Sequence, residues 1–364
     1  MKVTIKPQRF NPKTTTDMKK KYLSFMICCL MSVQLYAATT PGKPTGNERI
    51  FLHHQGKVNL YDADKLAEAV KASVDGDTIF LSNGNYGFLP TSDGKEVYYG
   101  AQPITINKSV CIVGEGESTY IGALAINMDD SQGECHLYGI KSSLSVTHAM
   151  QKLDIQKCHV KLSINATINE TQLLQSKLDV SINGWNTQLN TFNASNSLIT
   201  SFKFLVVDAD NLHIQLKNCN IRELMGSGDD GDEYMSSFKG DITNSIIDHV
   251  TQVAGAIRYF DPAVTLTHVL VRKTSEDYDP FKICKQTNSI ALLSTDEIVS
   301  DTGACRWSKE DLASLGYLGD DNTVMGIYGG PTPYAPMADT PLLSNPQFDI
   351  NTSNHKLMFN LDVK

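Results

Sequence analysis

The sequence predicts an all-β fold: a coil of parallel β rungs, or parallel β-helix solenoid, with an N-terminal capping helix and a C-terminal strand/helix cap. Three observations predict it. A short polar, small, any, aliphatic string recurs about every 22 residues. The segments between copies are short apolar runs broken by Asn, Ser, Asp and Gly, with no helical period. One amphipathic helix stands directly before the first such run.

The strings are Lys157-Cys158-His159-Val160, Gln175-Ser176-Lys177-Leu178, Asn196-Ser197-Leu198-Ile199, Asn218-Cys219-Asn220-Ile221, Asn244-Ser245-Ile246-Ile247 and Thr267-His268-Val269-Leu270. Their second positions are 18, 21, 22, 26 and 23 residues apart. A rung of that length holds a few short strands and corners, and its inward side chains stack on those of the next rung. Gln175, Asn196, Asn218 and Asn244 are expected to form an amide ladder at one corner, each side chain bonding the next. That reading makes them structural.

Taken in order, residues 1–37 are an N-terminal extension and signal peptide. Met18 is followed by Lys19, Lys20 and Lys21, then by an apolar run from Leu23 to Tyr36 and the small residues Ala37 and Ala38. A basic start, a short apolar stretch and a small residue mark a secretory signal. Residues 38–60 read as a linker, 61–300 as the solenoid and 301–364 as the C-terminal cap. Leu66, Ala69, Val70 and Val74 share a helical face, with Asp62 or Asp64 as N-cap and Gly76 as the stop. Such a helix lids a coil end that would otherwise expose core and strand edge. Ile79 to Leu81 is the first rung strand and Asn83-Gly84 its corner; 104–106 and 110–114 continue the coil. Near the other end, Ser308 to Leu312 reads as a short capped helix. Gly326 to Pro331 reads as a strand ending in a turn. Leu357, Phe359, Leu361 and Val363 alternate as in a half-buried strand.

The formal charge is −8, and loss of residues 1–37, with seven Lys/Arg and one Asp, takes it to −14. So acidic a chain is a poor partner for nucleic acid, whose binding depends on neutralising phosphates. No later stretch is long and apolar enough for a membrane span. Six cysteines follow the signal. Without a CxxC pair, zinc is not expected. Cys111, Cys135, Cys158 and Cys219 read as small packing residues, and the spacing of Cys284 and Cys305 leaves a bridge open.

Leu66-Ala67-Glu68-Ala69-Val70, Gly76-Asp77-Thr78-Ile79-Phe80-Leu81, Gly84-Asn85-Tyr86 and Val110-Cys111-Ile112-Val113-Gly114-Glu115-Gly116 together resemble the opening segment of right-handed parallel β-helix proteins of the pectin-lyase-like superfamily. The resemblance covers about residues 60–275. It implies a right-handed coil. It leaves activity open, because the superfamily holds lyases, hydrolases, epimerases and non-catalytic surface proteins. The Gly326-Ile327-Tyr328-Gly329-Gly330 stretch with its Pro-rich sequel resembles the ends of exported β-helix proteins of Bacteroidetes-type bacteria.

Candidate chemistry is sparse. Asp229, Asp230, Asp232 and Glu233 place four carboxylates in five residues, which suits calcium, although a solvated acidic loop is the simpler account. Asp320-Asp321-Asn322 is a weaker case. Lyase chemistry on a uronic acid needs a base and a positive group beside the sugar carboxylate. Aligned by the repeat, Arg222, His249 and Arg272 fall on one face across successive rungs, with Arg258 and Lys273 nearby. The competing reading has them face solvent, paired with Asp248 and similar acids. Trp185 and Trp307 are candidates for stacking on sugar rings, with packing as the alternative. The paired-Asp and Arg-Ile-Lys strings of polygalacturonase-like hydrolases are absent, as is the Arg-x-Pro-x-x-Arg string of calcium pectate lyases. The expectation is therefore an exported monomer, periplasmic, cell-surface or secreted. It would bind a polysaccharide or a cell-surface component without catalysis. The alternative is a polysaccharide lyase or glycoside hydrolase acting on an acidic polysaccharide.

Overall fold

A computed structural model describes residues 48–86, 88–90, 96–98, 103–183, 189–205, 213–226, 239–252, 259–335, 343–351 and 356–363. The chain forms a right-handed parallel β-helix built from two long sheets of 12 and 11 strands. The first sheet runs from Asp77–Leu81 through Val110–Val113, Glu134–Tyr138, Met150–Gln156, Ile168–Leu174 and Leu189–Ser195 to Lys285–Thr287. The second carries the following strand of each rung, including Lys141–Val146, His159–Ile164, Lys177–Asn183, Leu198–Leu205, Asn220–Gly226, Ile246–Gln252 and Leu270–Lys273. Neighbouring rungs pair in parallel, so like positions stack.

Alternation along each strand sends every second side chain inward. Leu144, Leu162, Val180, Phe202 and Leu224 form one buried column across five rungs. Phe192 crosses from the first sheet and meets Phe202 edge to face, with ring centroids 5.3 Å apart. Each such side chain contributes about 1.5–3 kcal/mol by leaving water.

The recurring string is a corner. First-sheet strands end, one residue turns into the left-handed region, a small residue follows, and the second-sheet strand begins. The turning residues are Lys157, Gln175, Asn196, Asn218, Asn244, His268 and Asn288, all with φ between +47° and +52°. Asn tolerates this conformation best among residues with a side chain. Each of the first six donates its backbone N–H to a carbonyl of the next rung, as from Asn196 to Lys217 at 3.0 Å and from Asn218 to Thr243 at 3.0 Å. The small residue needs a short side chain that reaches both ways. Ser176 Oγ donates to the Leu174 carbonyl (2.8 Å) and accepts from the Cys158 amide (3.1 Å). Ser245 does the same for Thr243 and Cys219.

This geometry corrects two expectations. The sixth string is one residue out of register: His268, not Thr267, turns the corner, and Val269 follows it. The corner amides also do not bond one another. Gln175 Nε2 donates to Pro333 O (2.7 Å), Asn196 Nδ2 to Gly329 O (2.8 Å) and Asn244 Nδ2 to Asp320 Oδ1 (2.6 Å). An amide ladder does exist on the first sheet. Asn190 donates to Asn169 (2.9 Å), which donates to Gln151 (2.7 Å).

The partner of the corner amides is a strap, residues 294–335, which runs back along the flank. Its helix, Lys309–Ser314, opens with the expected capping box between Ser308 and Asp311. Leu312, Ile298, Val299, Val324 and Met325 of the strap pack with Ile246 and Leu270 of the solenoid in a separate apolar cluster. The C-terminal cover thus sits on the side of the last rungs and extends to the middle of the coil. Gly326 to Pro331 is not a strand. Gly326 and Gly330 have φ of +80° and +74°, and a Cβ on either would collide with Asn220 or Asn218. Only glycine permits that backbone and that approach.

At the other end, Leu66–Ala72 buries Leu66, Ala69 and Val70 against the solenoid core, although Asp62 makes no side-chain cap bond. Residues 49–62, of which 49–60 fall in the expected linker 38–60, form an antiparallel hairpin that extends the first sheet, with Ile50 and Leu52 turned inward. As a separate compact unit, Leu343–Asn351 and Lys356–Val363 pair as an antiparallel hairpin. The cysteines at 111, 135, 158, 219, 284 and 305 form no disulfide among the described residues. Cys158 and Cys219 occupy the small corner position, and burial pushes both thiols up to about 12. Cys284 and Cys305 lie in different apolar clusters, so the bridge left open by their spacing is not formed.

Candidate functional site

The sequence candidates Arg222, His249 and Arg272 meet in a cluster that joins a histidine, carboxylates and cations. The second-sheet register pairs Ile221 with Ile247 and Ile247 with Val271. The next outward residues, one per rung, are therefore Arg222, Asp248 and Arg272. His249 lies one position further on, opposite Glu223. The expected row took Arg222 three residues past Cys219 but His249 four past Ser245 and Arg272 four past His268, and that one-residue tolerance brought His249 into it. The true register puts a carboxylate between the two arginines.

Asp248 is fully buried, and Arg272 is 4% exposed at the side chain. Arg272 Nε stands 3.0 Å from Asp248 Oδ1 but off the line of a hydrogen bond, so the contact is ionic. The same oxygen accepts from the strap amides of Ile298 (2.5 Å) and Val299 (3.3 Å). Asp248 Oδ2 lies against His249 Nδ1, and Arg272 NH2 donates to His249 Nε2. A guanidinium only donates, so Nε2 must accept and the ring proton belongs on Nδ1, facing Asp248. Arg222 NH2 lies 3.4 Å from Glu297 Oε1 of the strap. Burial pushes the Asp248 carboxyl up. The His249 contact, the Ile298 amide and the charge of Arg272 more than offset that and hold it below the usual carboxylate range.

Chemically the cluster is a clamp. Asp248, His249 and Glu297 bring ligand-type atoms within 4.8 Å of one another. Yet Arg272 contacts Asp248 and Arg222 contacts Glu297, so the positive charge a metal would supply is already present. The lone pair of His249 points at a guanidinium, not at a substrate position. The chain segment it fastens is the strap, through Ile298, Val299 and the Arg272 bond to Thr295 O (3.5 Å).

The other sequence candidates scatter. Lys273 is half-buried, and its Nζ reaches only Glu276 O (3.4 Å). Trp307 packs against Tyr317 at 5.7 Å in the strap cluster. Asp320 bonds Asn244, and Asp321 caps Thr323, so both serve the strap. Arg258, Trp185 and the acids Asp229, Asp230, Asp232 and Glu233 lie outside the described residues.

A second charged constellation was missed in the sequence. Lys141, His159 and Lys177 stack in register on the outward face of the second sheet. Lys161 stands in the next outward column, and Ser145, Ser163 and Ser181 form the column beyond. Lys157 stands at the corner beside them. The signal was available, since the third residues of the strings Lys157-Cys158-His159-Val160 and Gln175-Ser176-Lys177-Leu178 open this face. No known family model, curated protein or solved structure matches this chain.

Proposed function

We propose that this protein is an exported solenoid that binds carbohydrate at its surface without turning it over. The observation that carries this reading is the clamp. The residues best suited to a base and a charge-neutralising group, His249 and Arg272, face each other and Asp248 rather than an open groove. The signal-like run at 19–37 supports export. The resemblance of the opening segment to pectin-lyase-like proteins supports a polysaccharide as the ligand. A long flat sheet with regularly spaced polar columns suits a repetitive polymer, because equal spacing lets several units bind at once.

The alternative, a polysaccharide lyase or glycoside hydrolase, is favoured by the proximity of Asp248, His249 and Glu297. One experiment separates them. The purified chain is run through affinity gels containing neutral or acidic glycans. In parallel it is incubated with the same glycans, with and without calcium, and followed for unsaturated products and new reducing ends. Retardation without product is expected. Product formation that disappears in His249→Ala establishes the enzyme instead.

A further inference from the structure

We propose that the outward face formed by Lys141–Val146, His159–Ile164 and Lys177–Asn183 binds a linear acidic polysaccharide, its anionic groups following the solenoid axis across Lys141, Lys161 and Lys177. The proposal rests on the carbohydrate-binding reading and adds the surface and the ligand class.

The geometry comes from the register. Lys141, His159 and Lys177 occupy one position on three consecutive rungs. Rungs lie about 4.8 Å apart, so the two lysines flank the histidine at roughly 10 Å from each other. Lys161 projects from the middle rung, exposed, between Ser143 and Asp179. Beyond it the short Ser145, Ser163 and Ser181 side chains leave a low floor beside the long lysines. Such a surface offers hydroxyls to a sugar ring and ammonium groups to its acid.

Charge is the second observation. Among the described residues, the side chains of Lys141, Lys157, Lys161 and Lys177 make no ion pair or hydrogen bond. The adjacent acids are Asp179 in the Lys161 column and Glu117, which lies 3.5 Å from His159 Nδ1. The two lysines already disfavour charge on the histidine between them, and an anion laid across the column relieves that repulsion. On a chain of net charge −8 this is a local exception. An anionic polymer is repelled elsewhere and focused here.

His159 supplies a second readout. Burial, Lys177 and Lys141 disfavour its charged form, and only Glu117 favours it, so its protonation is held below the usual 6.5. Lys161 stands two residues along the same strand, and Tyr334 of the strap lies near enough to sense Glu117. A polyanion laid over the imidazole reverses that balance. Binding then takes up a proton, and affinity rises as pH falls through and below 6.5.

The test uses the full chain in affinity gels containing alginate (carboxylate), dextran sulfate (sulfate) or a neutral glycan panel. Lys141→Gln/Lys161→Gln/Lys177→Gln is expected to lose on the order of tenfold in affinity for the polyanion, the sum of three exposed pairs. The matching Arg triple retains it. Lys57→Gln/Lys71→Gln/Lys309→Gln, equal in net charge and exposed elsewhere, also retains it. Preference for alginate or for dextran sulfate assigns the anionic group. His159→Gln is expected to flatten the rise in affinity on acidification. A Gln triple that binds both polyanions like wild type overturns the proposal. Wild type held by a neutral glycan but by neither polyanion also overturns it, while leaving the carbohydrate-binding reading in place. Unsaturated product from alginate would sink the non-catalytic reading and leave the strip standing.

Discussion

The second sheet stacks charged side chains one rung apart in two places, and the two follow opposite rules. At Arg222, Asp248 and Arg272 the signs alternate, and the strap closes over the row. At Lys141, His159 and Lys177 no acid stands in the column, two lysines flank an imidazole whose protonation is held down, and the row stays partly open to solvent. The spacing is the same in both. The difference teaches that a parallel coil amplifies whatever the register places in a column. Alternating charges become an internal fastener, while a column of bases with no acid in it keeps its charge for a partner from outside.

The sharpest way to break that contrast is to remove the centre of the alternating row. Asp248→Ala leaves Arg272 buried and unpaired and frees two strap amides, so a loss of about 3–5 kcal/mol is expected. Chemical denaturation gives the magnitude, and limited proteolysis should nick the strap between 294 and 335 before the solenoid. If the strap stays protected, the clamp does not fasten it.

Next in size is the strap's approach to the corners. Gly330→Ala needs a positive φ and meets Asn218, so it should cost about 1–3 kcal/mol. An unchanged unfolding midpoint would show that the strap backbone sits further out.

Smaller and opposite in sign are two histidine titrations. His159 has its protonation held down. The unfolded chain therefore takes the proton first, and stability falls as pH drops below 6.5 toward the lowered value. His136 sits between Asp154 and Glu134, whose hydrogen bonds raise its protonation against burial. Its contribution is present below 6.5 and is lost as pH rises through the raised value. His159→Gln should flatten the acid side of a stability–pH curve and His136→Gln the near-neutral side. Identical curves for both would contradict the opposed environments.

The smallest effect is at the corners themselves. Lys157→Asn replaces a long side chain at φ +52° with the residue that tolerates it best, and should stabilise by about 0.5–1 kcal/mol. A thermal midpoint that falls instead would indicate a role for the Lys157 stem.

The corner motif shows how far the sequence could be read. Gln175-Ser176, Asn196-Ser197 and Asn244-Ser245 announced a stacked corner because each rung reuses the same left-handed turn and the same short polar residue. What those amides bond was not legible, since their partners Gly329, Pro333 and Asp320 lie 76 to 158 residues away. The site suffered from a smaller error. A one-residue tolerance in the alignment, together with the slip at His268, exchanged Asp248 for His249 in the row, and with it a clamp for an apparent catalytic strip. Period-two alternation makes any one-residue slip change which side chain faces out.

By itself the sequence determined the coil: short apolar runs at a regular interval can bury their inward faces only by stacking, and the turning residues fix where each rung bends. The path of the strap was decided by tertiary structure, as was the side on which opposite charges meet. Both depend on contacts between segments far apart in the chain, and local pattern carries no record of which distant segment arrives.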